Sequence, residues 1–284
     1  MPIDAHKLAS AEITGIPVTY VEADTMLYAL GVGLGSDPLS ASELPFVTEH
    51  AGLKTLPAMA SMLIPEGIMK SSGCDLTQLL HRAESLQFLR PLPASADLVA
   101  GQRVLSVADR GAGVGAEVEL ETELRRAGDD TLICTVGTRV IARADGGFGG
   151  SPPPVRSRHR MPNRVADMTC EISTRPDQAL LFRLAGDFNP LHSHPESAKT
   201  AGFDRPILHG RCTFGIACHA ILQTVCDYDF TLITGFEARF SSPVFPGDRI
   251  LTEMWQDGNV LSFRCRVPDR NAVVLNNGKC TLAA

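Results

Sequence analysis

Residues 186–192 read Gly-Asp-Phe-Asn-Pro-Leu-His and place a carboxylate (Asp187), a carboxamide (Asn189) and an imidazole (His192) within six residues. Gly186 and Pro190 interrupt a helix at this point, and the resulting bend can turn several polar side chains toward one spot. A carboxylate beside an imidazole is a suitable pair for holding one water molecule and moving its protons. Further along, His209-Gly210 stands just before the apolar run 213–226. Backbone N–H groups at the start of a helix are unpaired and can stabilise an oxyanion. Taken singly, these residues have plainer readings. Asp187 can close a helix, Asn189-Pro190 can form an ordinary turn, His194 can cap a short helix over 195–201, and Gly210 can serve turn geometry alone. His192, His194, His209 and Cys212 lack a recognised zinc spacing, so no metal is expected.

The elements that must hold these residues repeat. In the first half, Arg90-Pro-Leu-Pro leads into strand-like runs at 97–107, 114–124 and 131–143, with a turn at Asp109-Arg-Gly. In the second, Ser242-Pro-Val-Phe-Pro leads into runs at 248–256, 260–267 and 272–282, with a turn at Asp257-Gly-Asn. Alternation such as Leu261-Ser-Phe-Arg-Cys-Arg-Val fits antiparallel strands with one buried face, joined by hairpins. Internal duplication is therefore expected. Thr174-Arg-Pro-Asp reads as a helix start capped by the threonine. Thr213 to Cys226 is apolar on nearly every face, which predicts a helix buried all round. One buried helix wrapped by an antiparallel sheet is the hot-dog arrangement, and two copies make an α+β double hot dog. The glycine run, the three prolines and the basic stretch within 146–164 read as a connector. The expected division is thus residues 1–150, a linker over 151–165, and 166–284.

Composition narrows the class. With 26 Lys+Arg against 32 Asp+Glu, the net charge of −6 suits neither nucleic acid nor an anionic membrane. No apolar stretch approaches the roughly 20 residues of a membrane span, and Met-Pro-Ile-Asp-Ala-His carries no signal core, so a cytoplasmic protein is expected. The eight cysteines form no C-x-x-C and read as reduced thiols.

The string from Gly186 to His192, followed by Ala201-Gly-Phe-Asp-Arg-Pro-Ile-Leu-His-Gly, closely resembles the motif of the MaoC-like, hydratase-2 family of R-specific enoyl-CoA hydratases. Leu79-Leu-His-Arg-Ala-Glu, Phe88-Leu-Arg-Pro-Leu-Pro and Ala238-Arg-Phe-Ser-Ser-Pro-Val-Phe-Pro-Gly-Asp extend the likeness to the double-hot-dog members, including the hydratase domain of the peroxisomal multifunctional enzyme. The resemblance implies a hydro-lyase of fatty acid β-oxidation that adds water reversibly to a trans-2-enoyl-CoA, giving a (3R)-3-hydroxyacyl-CoA. It needs no cofactor, because the CoA thioester is itself the activated substrate. It implies Asp187 and His192 as the acid/base pair, Asn189 as orienter of the water, and Gly210 as donor to the thioester oxygen. Phe188, Pro190, Leu191 and Phe240 are implied to touch substrate. His81 and Arg82 stand where the family has His-Gly, and Arg110 where it has lysine, so Arg82 is a departure. Setting Tyr28-Ala-Leu beside Phe182-Arg-Leu brings Ser40 to the place of His192, and Gly31, Gly33 and Gly35 to that of Asp187. One active site per chain is expected, the first half serving as substrate-binding scaffold. A dehydratase for bulky steroid or bile-acid CoA esters is the alternative, and a hot-dog thioesterase a more distant one. A monomer or homodimer is expected.

Overall fold

The computed structural model describes residues 3–49, 52–65, 67–150 and 158–283. Alternating burial along the strands builds five antiparallel elements in each half. The first holds β1 (Glu12–Tyr20), β2 (Leu79–Phe88), β3 (Ala96–Asp109), β4 (Ala116–Arg126) and β5 (Leu132–Ala142). The second holds β6 (Met168–Ser173), β7 (Ile233–Phe240), β8 (Arg249–Asp257), β9 (Val260–Val267) and β10 (Ala272–Leu282). β4 shows the cause most simply: every second residue from Ala116 to Leu124 is buried, so one face meets the core. The strands join in one sheet of order β1-β3-β4-β5-β2-β7-β10-β9-β8-β6. Read inward from either edge, the two halves have the same strand order, and they meet edge to edge where β2 pairs antiparallel with β7. The sequence gives no hint that the two wrapped sheets are continuous.

The second half wraps the helix Gly210–Thr224, of which Cys212 to Leu222 are buried without interruption. In the first half the wrapped place holds a six-residue 3₁₀ helix, Pro57–Met62. Pro57 opens this segment, and Pro65 with Gly67 follows closely, so an α-helix of similar length cannot run through it. The other departure is Thr174. It does not cap the helix Gln178–Phe182, whose N-cap is Asp177. Its hydroxyl instead donates to the Asp248 carbonyl at 2.8 Å and accepts from Gly247 N–H at 2.9 Å, fixing the turn before β8. Helix Pro195–Thr200 starts at His194, whose ring makes no capping bond and meets Ser193 Oγ at 2.8 Å.

The helix Glu22–Gly31 packs across the buried helix. A Cβ built on Gly215 would lie 2.6 Å from both Tyr28 Oη and Val32 Cγ1. Alanine is the better helix former by about 1 kcal/mol, but overpacking a core costs about 1–3 kcal/mol. Gly215→Ala is therefore expected to lower stability, read as a lower midpoint in urea; a higher midpoint would show that Tyr28 moves aside freely.

Part of the expected connector, residues 151–157, lies outside the described residues. Its flanks are tied down. The Asp109 carboxylate accepts from Gly111, Gly147 and Gly149 N–H at 2.8, 2.8 and 2.6 Å, while His159 Nε2 meets Ser262 Oγ at 2.7 Å. All eight cysteines are free thiols, six of them buried. No helix among the described residues is long and apolar enough to cross a membrane.

Candidate active site

After the short helix Gln178–Phe182 and one 3₁₀ turn, Gly186 takes the left-handed conformation (φ 119°) that ends the helical path. The chain then closes a second 3₁₀ turn at Pro190–His192. Asn189 caps it: its Oδ1 accepts from Leu191 N–H at 3.0 Å, and its own N–H donates to Asp187 Oδ1 at 3.2 Å. The carboxamide of Asn189 thus shapes the bend, and its backbone holds the Asp187 carboxylate.

His192 is buried, and its Nδ1–H donates to the Ile207 carbonyl at 2.9 Å. That bond leaves Nε2 as the ring's free lone pair. His209, fully buried, donates through Nε2–H to the Asp187 carbonyl at 3.1 Å, and its ring lies on that of His192 with centroids 3.8 Å apart. The ligand-type atoms of Asp187, His192 and His209 all fall within 4.8 Å of one another. One carboxylate and two imidazoles therefore converge.

His209 is also the N-cap of the buried helix, so Gly210 is its first residue and presents an N–H with no intrahelical acceptor. The Phe240 ring covers Gly210, its Cε1 lying 3.2 Å from where a Cβ would be. His81 packs against Phe240, with centroids 4.9 Å apart. Behind it, His81 Nε2 lies against the buried carboxylate of Glu84, which also accepts from Thr138 Oγ1 at 3.3 Å and faces Arg211 Nη2 at 3.8 Å.

Electrostatics separate the roles. Burial lowers the pKa of His192 below its ordinary 6.5, outweighing Asp187 and the Ile207 carbonyl, which act the other way. Burial, then the neighbouring His192, pushes His209 down to about 3, so this ring stays neutral at working pH. Burial opposes ionisation of Asp187, yet His209, His192, the Asn189 N–H and Arg211 together hold it below the ordinary carboxyl value. A neutral imidazole and a carboxylate, both proton acceptors, stand ready for one water.

The structure brings Asp187, Asn189, His192, Gly210, Phe240 and His81 to one place. Phe188 is turned outward, 58% exposed beneath the Arg183 guanidinium. Pro190 is exposed and Leu191 half-buried. Arg82 and Arg110 lie in a separate cluster of arginines. Of the four residues weighed for zinc, His192 and His209 stay together beside Asp187, while Cys212 Sγ donates to the Gly31 carbonyl and His194 turns to Ser193 Oγ. Sequence reasoning misses the work of His209, Arg211 and Glu84: the His-Gly pair marks a helix start, but only the folded chain shows the imidazole reaching back to Asp187.

A MaoC like domain profile matches residues 158–276, and one for the MFE-2 hydratase 2 N-terminal domain matches 18–144. The chain is 39% identical to the peroxisomal enoyl-CoA hydratase 2 of Arabidopsis thaliana, over 95% of this chain and 91% of the relative. It is 36% identical to enoyl-CoA hydratase ChsH3 of Mycobacterium tuberculosis, over 97% and 98% respectively. The crystal structure of a MaoC-like dehydratase from Phytophthora capsici superposes with a TM-score of 0.86 at 30% identity, covering 99% of this chain and 98% of that one. With both halves matched by the two halves of one known architecture, the chain belongs to the MaoC-like hydratase 2 family.

Proposed function

We propose that the chain is an R-specific enoyl-CoA hydratase, adding water reversibly across a trans-2-enoyl-CoA. The convergence of Asp187 and His192 beside the Gly210 N–H carries this reading. The Gly210 amide donates to the thioester oxygen and stabilises the enolate-like charge that develops as C3 is attacked. The Asp187/His192 pair takes a proton from water while the hydroxyl bonds to C3, and a proton is returned to C2, so the atoms of one water are added in all. Asn189 fixes the bend on which both side chains sit. His209, through the Asp187 carbonyl and the His192 ring, ties acid, base and oxyanion donor into one unit.

Each His ring spends one nitrogen on a backbone carbonyl, and the two rings lie face to face at a tilt of 30°. The reading takes the chemistry to be run by the side chains themselves, the CoA thioester being already the activated substrate. We also read the first half as scaffold. The short 3₁₀ helix at 57–62, in the place of a full helix, favours a long or bulky acyl group, steroid-like esters included. A cytoplasmic location and an assembly of one or two chains complete the reading; the free thiols fit a reducing compartment.

The test is hydration of crotonyl-CoA and longer trans-2-enoyl-CoA esters by the purified chain, with the chirality of the product determined. A 3S product, or none, defeats the reading. The pH dependence has a definite sign. Catalysis needs neutral His192, whose pKa is held below 6.5. Hence the acid limb of kcat/KM should be centred below pH 6.5, activity being lost as pH falls through it. An acid limb centred above 6.5 would assign the base elsewhere.

A further inference from the structure

Glu84 is a carboxylate without solvent exposure, on β2 of the first half and outside the acid/base pair. A charge shut away from water is costly unless its surroundings hold it. A bulge decides where it points. In a regular strand, residues three apart face opposite sides. Arg82, however, is an extra residue between His81, opposite Val140, and Ala83, opposite Arg139, so that Glu84 falls opposite Thr138. Thr138 and Val140 are two apart on β5 and both buried, so their partners Glu84 and His81 share the inner face. There His81 Nε2 lies against the carboxylate, and Thr138 Oγ1 donates to it at 3.3 Å.

The second half supplies the counter-ion. Across the seam Glu84 is opposite Ala238 of β7, and Phe240, two residues on, lies on the same face as Ala238. Arg211, the residue after Gly210 in the buried helix, faces Glu84 Oε1 through Nη2 at 3.8 Å. Only a fifth of its side chain is exposed, and its Nε is buried without a hydrogen-bond partner among the described residues. The helix itself disfavours a cation here, because its N-terminus carries the positive end of the dipole. Arginine at 211 therefore answers to the carboxylates around it. Glu84 is in ion-pair range, and Asp187, whose charge burial opposes, has Arg211 among the groups that favour it.

The pair joins two elements whose relation the chemistry depends on. The Gly210 N–H is fixed at the start of the helix, under the Phe240 ring, and Phe240 packs against His81. Glu84 meets both sides of this arrangement, His81 directly and the helix start through Arg211. An oxyanion donor works only where the oxygen will be, and a misplacement of about 1 Å costs roughly 10²-fold in rate.

We propose that Glu84 and Arg211 are positioning residues, a buried ion pair between the two halves that holds the first turn of the helix against β2 and so aims the Gly210 amide at the thioester oxygen. The proposal rests on the hydratase reading. Neither residue touches the reacting atoms; both act through the helix start. The first half thereby takes part in the reaction from β2, by way of a carboxylate that its bulge turns inward.

The experiment uses Glu84→Gln, which keeps an oxygen for Thr138, Arg211→Met, which keeps the length of the side chain, and the two combined. Hydration of crotonyl-CoA is followed well below the melting temperature of each variant. Each single change leaves one buried charge alone and should lower the melting temperature, whereas the double variant, with neither charge, should melt near the unaltered chain. Its kcat should nonetheless stay roughly ten- to a hundredfold down, with KM moved far less. In a Gly210→Pro background, which has no amide to aim, the same double change should alter kcat by no more than about twofold. Arg211→Lys, which retains the charge, should regain part of the rate lost in Arg211→Met. Full kcat in the double variant, an equal loss in the proline background, or a change confined to KM overturns the proposal. An unaltered chain that hydrates no enoyl-CoA ester defeats the hydratase reading itself, a result distinct from an active chain indifferent to Glu84 and Arg211.

Discussion

Asp187→Asn and His192→Asn are each expected to lower kcat for crotonyl-CoA hydration by roughly 10²–10⁴-fold, the usual worth of general acid–base help. Both replacements keep the local architecture. An asparagine at 187 retains the oxygen that accepts from Asn189 N–H. An asparagine at 192 places a donor where Nδ1 meets the Ile207 carbonyl, and removes the Nε2 lone pair together with the ring face against His209. Melting temperatures should therefore stay close to that of the unaltered chain, and the loss should lie in kcat. Because the two groups act on one water, the double variant should be little worse than either single one. Full activity in either variant would show that the pair is structural.

Replacing Gly210 gives the second large effect, and two substitutions separate its causes. Gly210 is the first helical residue, a position that accepts proline. His209 before it is already extended (φ −56°, ψ 137°), as a residue preceding proline must be. Gly210→Pro thus deletes the N–H while sparing the helix. Loss of one oxyanion donor costs about 2.7–4 kcal/mol of barrier, or roughly 10²–10³ in kcat. Gly210→Ala adds the same Cβ, 3.2 Å from the Phe240 ring, but keeps the donor. Alanine should therefore show only the effect of crowding Phe240, and proline the further loss of two to three decades. Equal rates in the two variants would place the thioester oxygen elsewhere.

What the chain reveals of itself is uneven, for physical reasons. Strands β3–β5 and β8–β10 are readable nearly to the residue, because period-two alternation and glycine turns are local. The same holds for the helix Gly210–Thr224, apolar on all sides. β2 escapes, since Leu-Leu-His-Arg-Ala-Glu-Ser-Leu is rich in good helix formers and becomes strand only through its pairing with β5 and β7. The motif residues Asp187, Asn189 and His192 are legible as a bend. Their ties to Ile207 and His209 are not, because those depend on how a later loop folds back. The bulge at Arg82 is likewise decided by the register across two strands rather than by sequence nearby.

The matching strand order of the two halves, joined by their corresponding strands, has a consequence for inheritance. Two identical copies meeting this way would form a self-complementary pair, and every change in one would be repeated in the other. Linked in one polypeptide, the copies escape that constraint. One keeps Asp187, His192 and the full helix, while the other contributes the His81 ring and, in the place of that helix, the short 3₁₀ segment Pro57–Met62. Division of labour between like parts is open to a fused gene and closed to a homodimer.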